Sequence, residues 1–299
     1  TLNMKLNKKL IIEAQQRGYK VFYYNPVDLE YSSGNVQASG YFIELFNNKD
    51  NYFKYLSEKK ELLNLSNFDV VLIRQDPPFD MNYISSTYLL DQIAKSTIVL
   101  NNPSSIRNAA EKIYPFQFKK FMPPTIITQK IQTIKKFLSE NKDVVTKPIY
   151  GNGGEGIFRT KITDANLNGI DESKEILKEP LVVQKYIPEI IDGDRRIILI
   201  DGEYFGSVAR IPEPNNLKAN FHAGGRPQKT ELLYRDEEIC RALKKDLKEK
   251  NLFLVGIDII GNYLTEINVT SPTGLKQINQ LNNAYLEKTF WDKLEQKFY

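Results

Sequence analysis

The sequence predicts a mixed α/β and α+β protein in two successive parts. Strand and helix patterns alternate over roughly the first hundred residues, which is the mark of an α/β domain. Beyond Arg107 strands dominate, with Gly- and Asn-rich turns between them. The 299 residues, 41% hydrophobic and 26% charged, suffice for two cores at about 150 residues each. The boundary is drawn at residues 105–112, giving domains 1–108 and 109–299.

In the first part, Leu6, Leu10, Ile11 and Ala14 recur at helical spacing from Met4 to Gln16, and Gly18 closes that helix. Val21–Tyr24 reads as a strand, residues 34–46 as one or two more, and Asp69–Arg74 as a buried one. A helix at Tyr83–Ala94 and a strand at Thr97–Leu100 follow, implying a parallel sheet. No strand pattern precedes the opening helix, so either this sheet lacks a central strand or the sequence begins late. In the second part, helices are predicted at Ala109–Phe116, Gln132–Glu140, Glu237–Lys250 and about Tyr285–Lys297. Strands are predicted at Asp143–Lys147, Ile157–Lys161, Leu181–Tyr186, Arg196–Ile200, Glu203–Ile211, Phe253–Ile260 and Tyr263–Asn268, mostly as antiparallel hairpins.

Composition narrows the chemistry. One cysteine, Cys240, leaves no internal disulfide and no cysteine-rich zinc site. One histidine, His222, excludes multi-histidine metal centres and leaves little room for a Ser-His-Asp triad. With mean hydropathy −0.42 and no apolar run near about 18 residues, no membrane span is expected. No secretory leader pattern opens the sequence, so a cytoplasmic location is expected. The net charge of +4 is spread over solvated helix faces such as Lys244–Lys250, without the basic, aromatic patch of a nucleic-acid binder. Carboxylates, Lys, Arg, Asn, backbone amides and a hard cation remain.

Gly151-Asn152-Gly153-Gly154-Glu155-Gly156 matches G-x-G-x-x-G, but β-prone residues follow where a dinucleotide site needs a helix. No Gly-Lys-Ser/Thr ends the run, so a Walker A loop is absent too. The loop reads either as a hairpin tip or as a phosphate cover between antiparallel strands, with Lys147 beside it. Gln184-Lys185-Tyr186-Ile187 ends a strand as an adenine-binding edge would, or as an ordinary core strand does. Glu266 and Asn268 share one strand face, and with Asp258 they form an oxygen-only set suited to Mg²⁺. A two-residue Gly261-Asn262 turn would pair Asp258 with Thr265 and send Asp258 and Glu266 to opposite faces. A shared cation therefore demands an odd loop, with Asn262 left-handed, pairing Asp258 with Glu266. Ile257, Ile259 and Ile267 then take the other face.

The order Lys112, Lys147-Pro148 with its glycine loop, Gln184–Ile187, Asp258 and Glu266-Ile267-Asn268 resembles the ATP-grasp ligases. Arg74-Gln75-Asp76-Pro77-Pro78-Phe79-Asp80, Ala209-Arg210-Ile211-Pro212, Ala223-Gly224-Gly225-Arg226 and Thr265–Thr273 narrow the resemblance to the prokaryotic glutathione synthetases, from about Leu2 to Asn279. It implies an N-terminal α/β substrate domain before a two-part ATP-grasp domain (lobes at about 109–187 and 188–299). It implies ATP-dependent ligation of γ-glutamylcysteine and glycine through an acyl phosphate. ATP would be bound by Lys112, Lys147, Gly151, Gly153, Gly154, Gly156, Gln184, Lys185, Tyr186, Ile187, Asp194 and Arg196. Asp258, Glu266 and Asn268 would hold Mg²⁺, or Mn²⁺ in its place. Arg74, Asp76, Asn268, Ser271 and Thr273 would bind substrate, while Arg210 and Arg226 would be catalytic. A homo-oligomer, dimer or tetramer, is implied as well.

An acyl phosphate must be kept dry, so a mobile cover is expected. Glu213–Arg226 is assigned to it, with His222 read as a surface residue standing where the family is apolar. Gly274-Leu275 also departs from the family pattern, beside the expected glycine site. Cys240 reads as a small buried residue. Two other readings stay open: an ATP-grasp ligase joining other partners, and a non-catalytic nucleotide-binding module.

Overall fold

The structure, a computed structural model, describes residues 4–47, 53–151, 153–164, 176–214 and 218–299. Helix α1 (Met4–Gln16) leads into a hairpin of β1 (Val21–Ser32) and β2 (Asn35–Leu45). The short strands β3 (Phe53–Tyr55) and β4 (Glu61–Asn64) pair with β2, all antiparallel. Then come β5 (Val70–Leu72), α2 (Met81–Asp91), β6 (Ile98–Leu100) and α3 (Pro103–Asn108). Asp80 caps α2 by accepting from Tyr83 N at 2.9 Å, and Asn102 caps α3 from Ser105 N at 3.0 Å.

The parallel sheet expected here shrinks to the β5–β6 pair, and the other strands form an antiparallel sheet that does not join it. An apolar groove of about 490 Å³ lies between β1 and β5, lined by Leu10, Val21, Phe22, Tyr24, Val70 and Leu72. The helix expected at Ala109–Phe116 does not form either. Pro115 falls inside it, and a 3₁₀ segment over Tyr114–Phe121 takes its place.

A second layer holds β7 (Thr125–Lys130), α4 (Ile131–Asn141), β8 (Asp143–Pro148), β9 (Phe158–Lys161) and β10 (Ile176–Lys185), in the order β7-β10-β8-β9. Phe137 and Leu138 of α4 pack on Val144 and Val183 of this sheet. A third layer contains β11 (Asp194–Ile200), β12 (Glu203–Ile211), β13 (Arg226–Gln228), α5 (Tyr234–Glu249), β14 (Leu254–Ile260), β15 (Tyr263–Asn268), α6 (Leu275–Asn282) and α7 (Leu286–Phe298). Its strands run β13-β12-β11-β14-β15, all antiparallel.

Period-two alternation buries both faces of the central strands. Ile197, Leu199, Val255 and Ile257 meet Ile239, Leu243 and Leu247 of α5. Ile198, Ile200 and Leu254 meet Ile278 of α6 and Phe290 and Leu294 of α7. Cys240 is buried on α5, and burial pushes its thiol up to about 12, in keeping with a packing role.

Two features tie the first part to this third layer. Arg17, just past α1, pairs with Glu13, Asp292 and Glu295 at 2.6–2.8 Å, and the indole of Trp291 donates to Leu10 O at 2.9 Å. Asn101, just past β6, is buried and acts as a strand residue would. Its Nδ2 donates to Leu254 O (2.8 Å) and Val269 O (2.6 Å), and its Oδ1 accepts from Leu254 N (2.8 Å). Asn101→Ala strips these backbone groups of their partner inside the protein. A loss of about 1–3 kcal/mol is expected in denaturant unfolding, and a change within error would show that the clip carries no stability.

Candidate active site

The β14–β15 hairpin sets the geometry. Gly261-Asn262 does form a two-residue turn, pairing Ile260 with Tyr263 and Ile259 with Leu264. The register then slips by one residue, so that Asp258 pairs with Glu266 and Gly256 with Asn268. Thr265 is the extra residue; it is buried, and its hydroxyl donates to Asp258 O at 3.0 Å. An odd loop is therefore not how the register is reached, and the left-handed residue is Gly261 (φ +55), not Asn262. The outcome for the faces is the one a shared cation requires: Asp258, Glu266 and Asn268 on one side, with Ile257 paired to Ile267 on the other.

The same alternation continues across the sheet. Asp194 and Arg196, two apart on β11, pair with Arg210 on β12 and Asp258 on β14, respectively. Arg196 grips Asp258 twice, at 2.5 and 2.7 Å, and donates to Thr273 O at 3.2 Å. Arg210, 2% exposed, donates to Asp194 Oδ1 at 2.7 Å and reaches Asp258 Oδ2 at 2.9 Å. Burial alone would raise the Asp258 carboxyl, but the two guanidinium groups hold it well below the usual carboxylate range. Gly256 opposite Asn268 makes room for this: a Cβ there would lie 3.3 Å from Arg196 Cδ.

Two lysines close the row from outside the sheet. Lys147, near the end of β8, is buried, with Nζ 3.8 Å from Glu266 Oε1 and 3.4 Å from Gln184 Oε1. Lys112 is buried too, and bonds Glu111 Oε1 (3.1 Å) and Gly151 O (2.6 Å). Against the effect of burial, Lys112 and Lys147 keep Glu266 ionised below its ordinary range. Glu111 was not among the residues singled out in the sequence; its only signal there is its place beside Lys112. Burial, then the charge of Glu266, push its carboxyl up to about 8. Among the groups lining one cavity of about 490 Å³ are the cations Lys112, Lys147, Arg196 and Arg210 and the acids Glu111, Asp194, Asp258 and Glu266.

The glycine loop roofs this cavity, with Gly151, Gly153 and Gly154 in its lining; Asn152 lies outside the described residues. Gly153, Gly154 and Gly156 all have positive φ. Gly154 meets the expected cover directly, since a Cβ on it would lie 3.0 Å from both Lys218 Cδ and Asn220 Nδ2. Lys218, Ala219, Asn220 and Phe221 line the opposite rim, and Ala219 packs on Tyr186 and Ile190. His222 lies in the 3₁₀ turn that follows, which Asn220 caps; residues 215–217 of this segment lie outside those described. Gln184, Lys185, Tyr186 and Ile187 form one end of the cavity, and the Arg159 guanidinium stacks on Tyr186 at 3.5 Å.

At the other end are Asp76, Ser271 and Thr273, with Arg74 donating to Pro272 O at 3.3 Å. Ser271 Oγ is buried without a hydrogen-bond partner, so a bound polar group would satisfy it. Arg74 is pushed down to about 10 by burial and remains a cation at neutral pH. Gly274 (φ +116) caps α6 in a left-handed conformation that disfavours any side chain, and a Cβ there would lie 3.3 Å from Arg196 Cγ. Of the expected site residues, Gly156 and Arg74 do not line the cavity, Arg74 lining the apolar groove instead, and Arg226 stands farthest apart in its exposure. Pairing of β13 with β12 places it opposite Ile211, its side chain is 66% exposed, and it faces Glu213 at 3.5 Å rather than lining the cavity.

Comparison with known proteins bears on the whole chain. The family model "Prokaryotic glutathione synthetase, N-terminal domain" matches residues 7–107, and "Prokaryotic glutathione synthetase, ATP-grasp domain" matches 111–283. The glutathione synthetase of Agrobacterium fabrum is 44% identical over 287 residues, covering 96% of this chain and 89% of that protein. That of Mesorhizobium japonicum is 44% identical over 289 residues (96% and 92%), and that of Pseudomonas aeruginosa 38% over 284 (93% and 89%). Among solved structures, the macrocyclase MdnC from Microcystis aeruginosa, bound to its precursor peptide, superposes with TM-score 0.64 at 16% identity, covering 97% of this chain and 96% of that one. The ATP-grasp ligase PsnB with minimal precursor, Mg and ADP gives 0.61 at 14% identity (100% and 96%). These two share the fold. No helix of the described residues is long and apolar enough to cross a membrane.

The raised Glu111 carboxyl has a consequence for stability. The folded chain holds this proton more tightly than the unfolded one, so the contribution is full below the ordinary value of 4.5 and is lost as pH rises through about 8. Unfolding free energies of the native chain and Glu111→Gln, both in EDTA, are expected to diverge across that window, with the native chain losing ground as pH rises. A difference independent of pH would contradict the assigned titration.

Proposed function

The chain belongs to the prokaryotic glutathione synthetase family, and from that premise we infer that it joins γ-L-glutamyl-L-cysteine to glycine at the expense of ATP, giving glutathione, ADP and phosphate. The observation that carries this reading is the Asp258–Glu266 register, which sets three oxygen donors on one face beside Arg210, with Lys112 and Lys147 coming in from outside the sheet. A free carboxylate does not acylate an amine until one oxygen becomes a leaving group. Transfer of the ATP γ-phosphoryl group to the γ-glutamylcysteine carboxylate supplies one, and the glycine amine then displaces phosphate.

Each group in the cavity has a place in that sequence. Asp258, Glu266 and Asn268 fit a hard divalent cation, Mg²⁺ by preference and Mn²⁺ as its substitute, because all their donor atoms are oxygen. Such a cation, when bound, neutralises phosphate charge. Lys112 and Lys147 hold phosphate oxygens beneath the Gly151–Gly156 roof. Gln184 to Ile187 receive the adenine ring, and Arg159 stacked on Tyr186 stiffens that end. Arg196 and Arg210 supply positive charge where it builds on the transferred phosphoryl group and on the acyl oxygen. Asp194, paired with Arg210, serves to aim that guanidinium. Arg74, Ser271 and Thr273 meet the peptide substrate. Arg226 in its present exposed position reaches the intermediate only if its segment moves, so no step is assigned to it. The contact of Gly154 with Lys218 and Asn220 lets loop and cover exclude water together.

Phosphate release is expected to require both γ-glutamylcysteine and Mg-ATP, with glycine the best acceptor amine. Equal or faster turnover with glutamate or D-alanine would reduce the assignment to an ATP-grasp ligase of other specificity. Arg210→Ala should lower kcat far more than ATP affinity, in keeping with a loss of about 2.7–4 kcal/mol of barrier stabilisation. It should also destabilise the fold, by about 3–5 kcal/mol, because Asp194 and Asp258 stay buried. A parallel loss of ATP affinity and rate would assign Arg210 to ground-state binding, the role expected of Lys147.

A further inference from the structure

An asparagine ligand carries an ambiguity that a carboxylate does not. Oδ1 and Nδ2 are nearly isosteric, so half a turn about χ2 exchanges an oxygen that attracts a cation for an N–H pair that repels it. Something must fix which atom faces the phosphate side. At Asn268 two neighbours do so, and they agree. With the amide set to satisfy both, Nδ2 donates to Glu111 Oε2 at 2.7 Å and Oδ1 accepts from Arg196 Nη2 at 3.2 Å.

Arg196 is itself committed to Asp258 and Thr273, and its bond to Asn268 is the longer of the two. Glu111 is the better anchored partner. Its backbone carbonyl accepts from Ile267 N at 3.1 Å, which ties it to the outer edge of β15 one residue before Asn268. Its other carboxyl oxygen accepts from Lys112 Nζ at 3.1 Å. One side chain thus joins the lysine assigned to phosphate with the amide assigned to the cation.

Resting on the functional reading above, we propose that Glu111 is a positioning residue that locks the Asn268 amide with Oδ1 toward the cation. Glu111 touches neither nucleotide nor substrate in this role. Its removal therefore acts on metal-dependent binding and leaves the rest of the nucleotide site in place.

The test is a double-mutant cycle read by Mn²⁺ binding in the presence of ADP, followed by the electron paramagnetic resonance of free Mn²⁺, alongside ADP binding in EDTA. Glu111→Ala is expected to weaken Mn²⁺–ADP binding by about 10–100-fold, with ADP affinity in EDTA held within about twofold. Glu111→Gln keeps an acceptor oxygen for Nδ2 and should stay within about fivefold of the native chain. In an Asn268→Asp background both oxygens are equivalent and no orientation is left to fix, so Glu111→Ala should cost nothing further. An undiminished loss in that background, unchanged Mn²⁺ binding in Glu111→Ala, or an equal fall in EDTA would each overturn the positioning role. A native chain that binds no Mn²⁺–ADP would overturn the functional reading itself, and is told apart from those outcomes by needing no variant.

Discussion

Charges taken out of water must neutralise one another, and this cavity satisfies that demand within itself. Asp194, Arg210, Asp258 and Arg196 interlock across three adjacent strands, while Lys147 answers Glu266 and Lys112 lies against Glu111, whose carboxyl is pushed up to about 8. Any of these alone, buried, would be costly. The pairing explains why the sheet carries charge on a face otherwise closed to solvent, and why residues from every layer converge there. This mutual pairing is thus what holds the buried charges in place.

The strand face that carries this balance depends on one inserted residue. A two-residue turn and a shared cation are incompatible in a regular hairpin, and the bulge at Thr265 reconciles them. Its hydroxyl bond to Asp258 O uses a ladder group that the irregularity would otherwise leave poorly paired. Gly261 takes the left-handed position at no steric cost, so Asn262 need not.

Much of this was legible in the sequence, for reasons that can be traced. Strong periodicity placed α1, α4, β12 and β15 closely, because each presents an amphipathic or buried pattern over its whole length. Alternation alone put Glu266 and Asn268 on one face, and chemistry added Asp258. The failures share a cause in tertiary context. Pro115 stops a helix that composition favoured, and the short strands β3 and β4 exist only because β2 offers them an edge. α6 was hidden by the polar run Lys276–Asn282, whose few apolar residues meet the β12 face. Glu111 was invisible because its partners lie more than 150 residues away on β15. The exposure of Arg226 follows from strand pairing that its short, proline-containing segment does not announce.

The clip at Asn101 bears on how the cleft can work as a machine. Together with the clasp of α1 on α7, it welds the first layer to the third. The pair forms a single anvil carrying the peptide end of the cavity and the charged strand face. The sheet of β7 to β10, bearing the glycine roof and the adenine edge, is then the jaw. A shift of that jaw would carry Lys147 and Gln184 with it and leave Arg196, Arg210 and Asp258 in place beside Thr273.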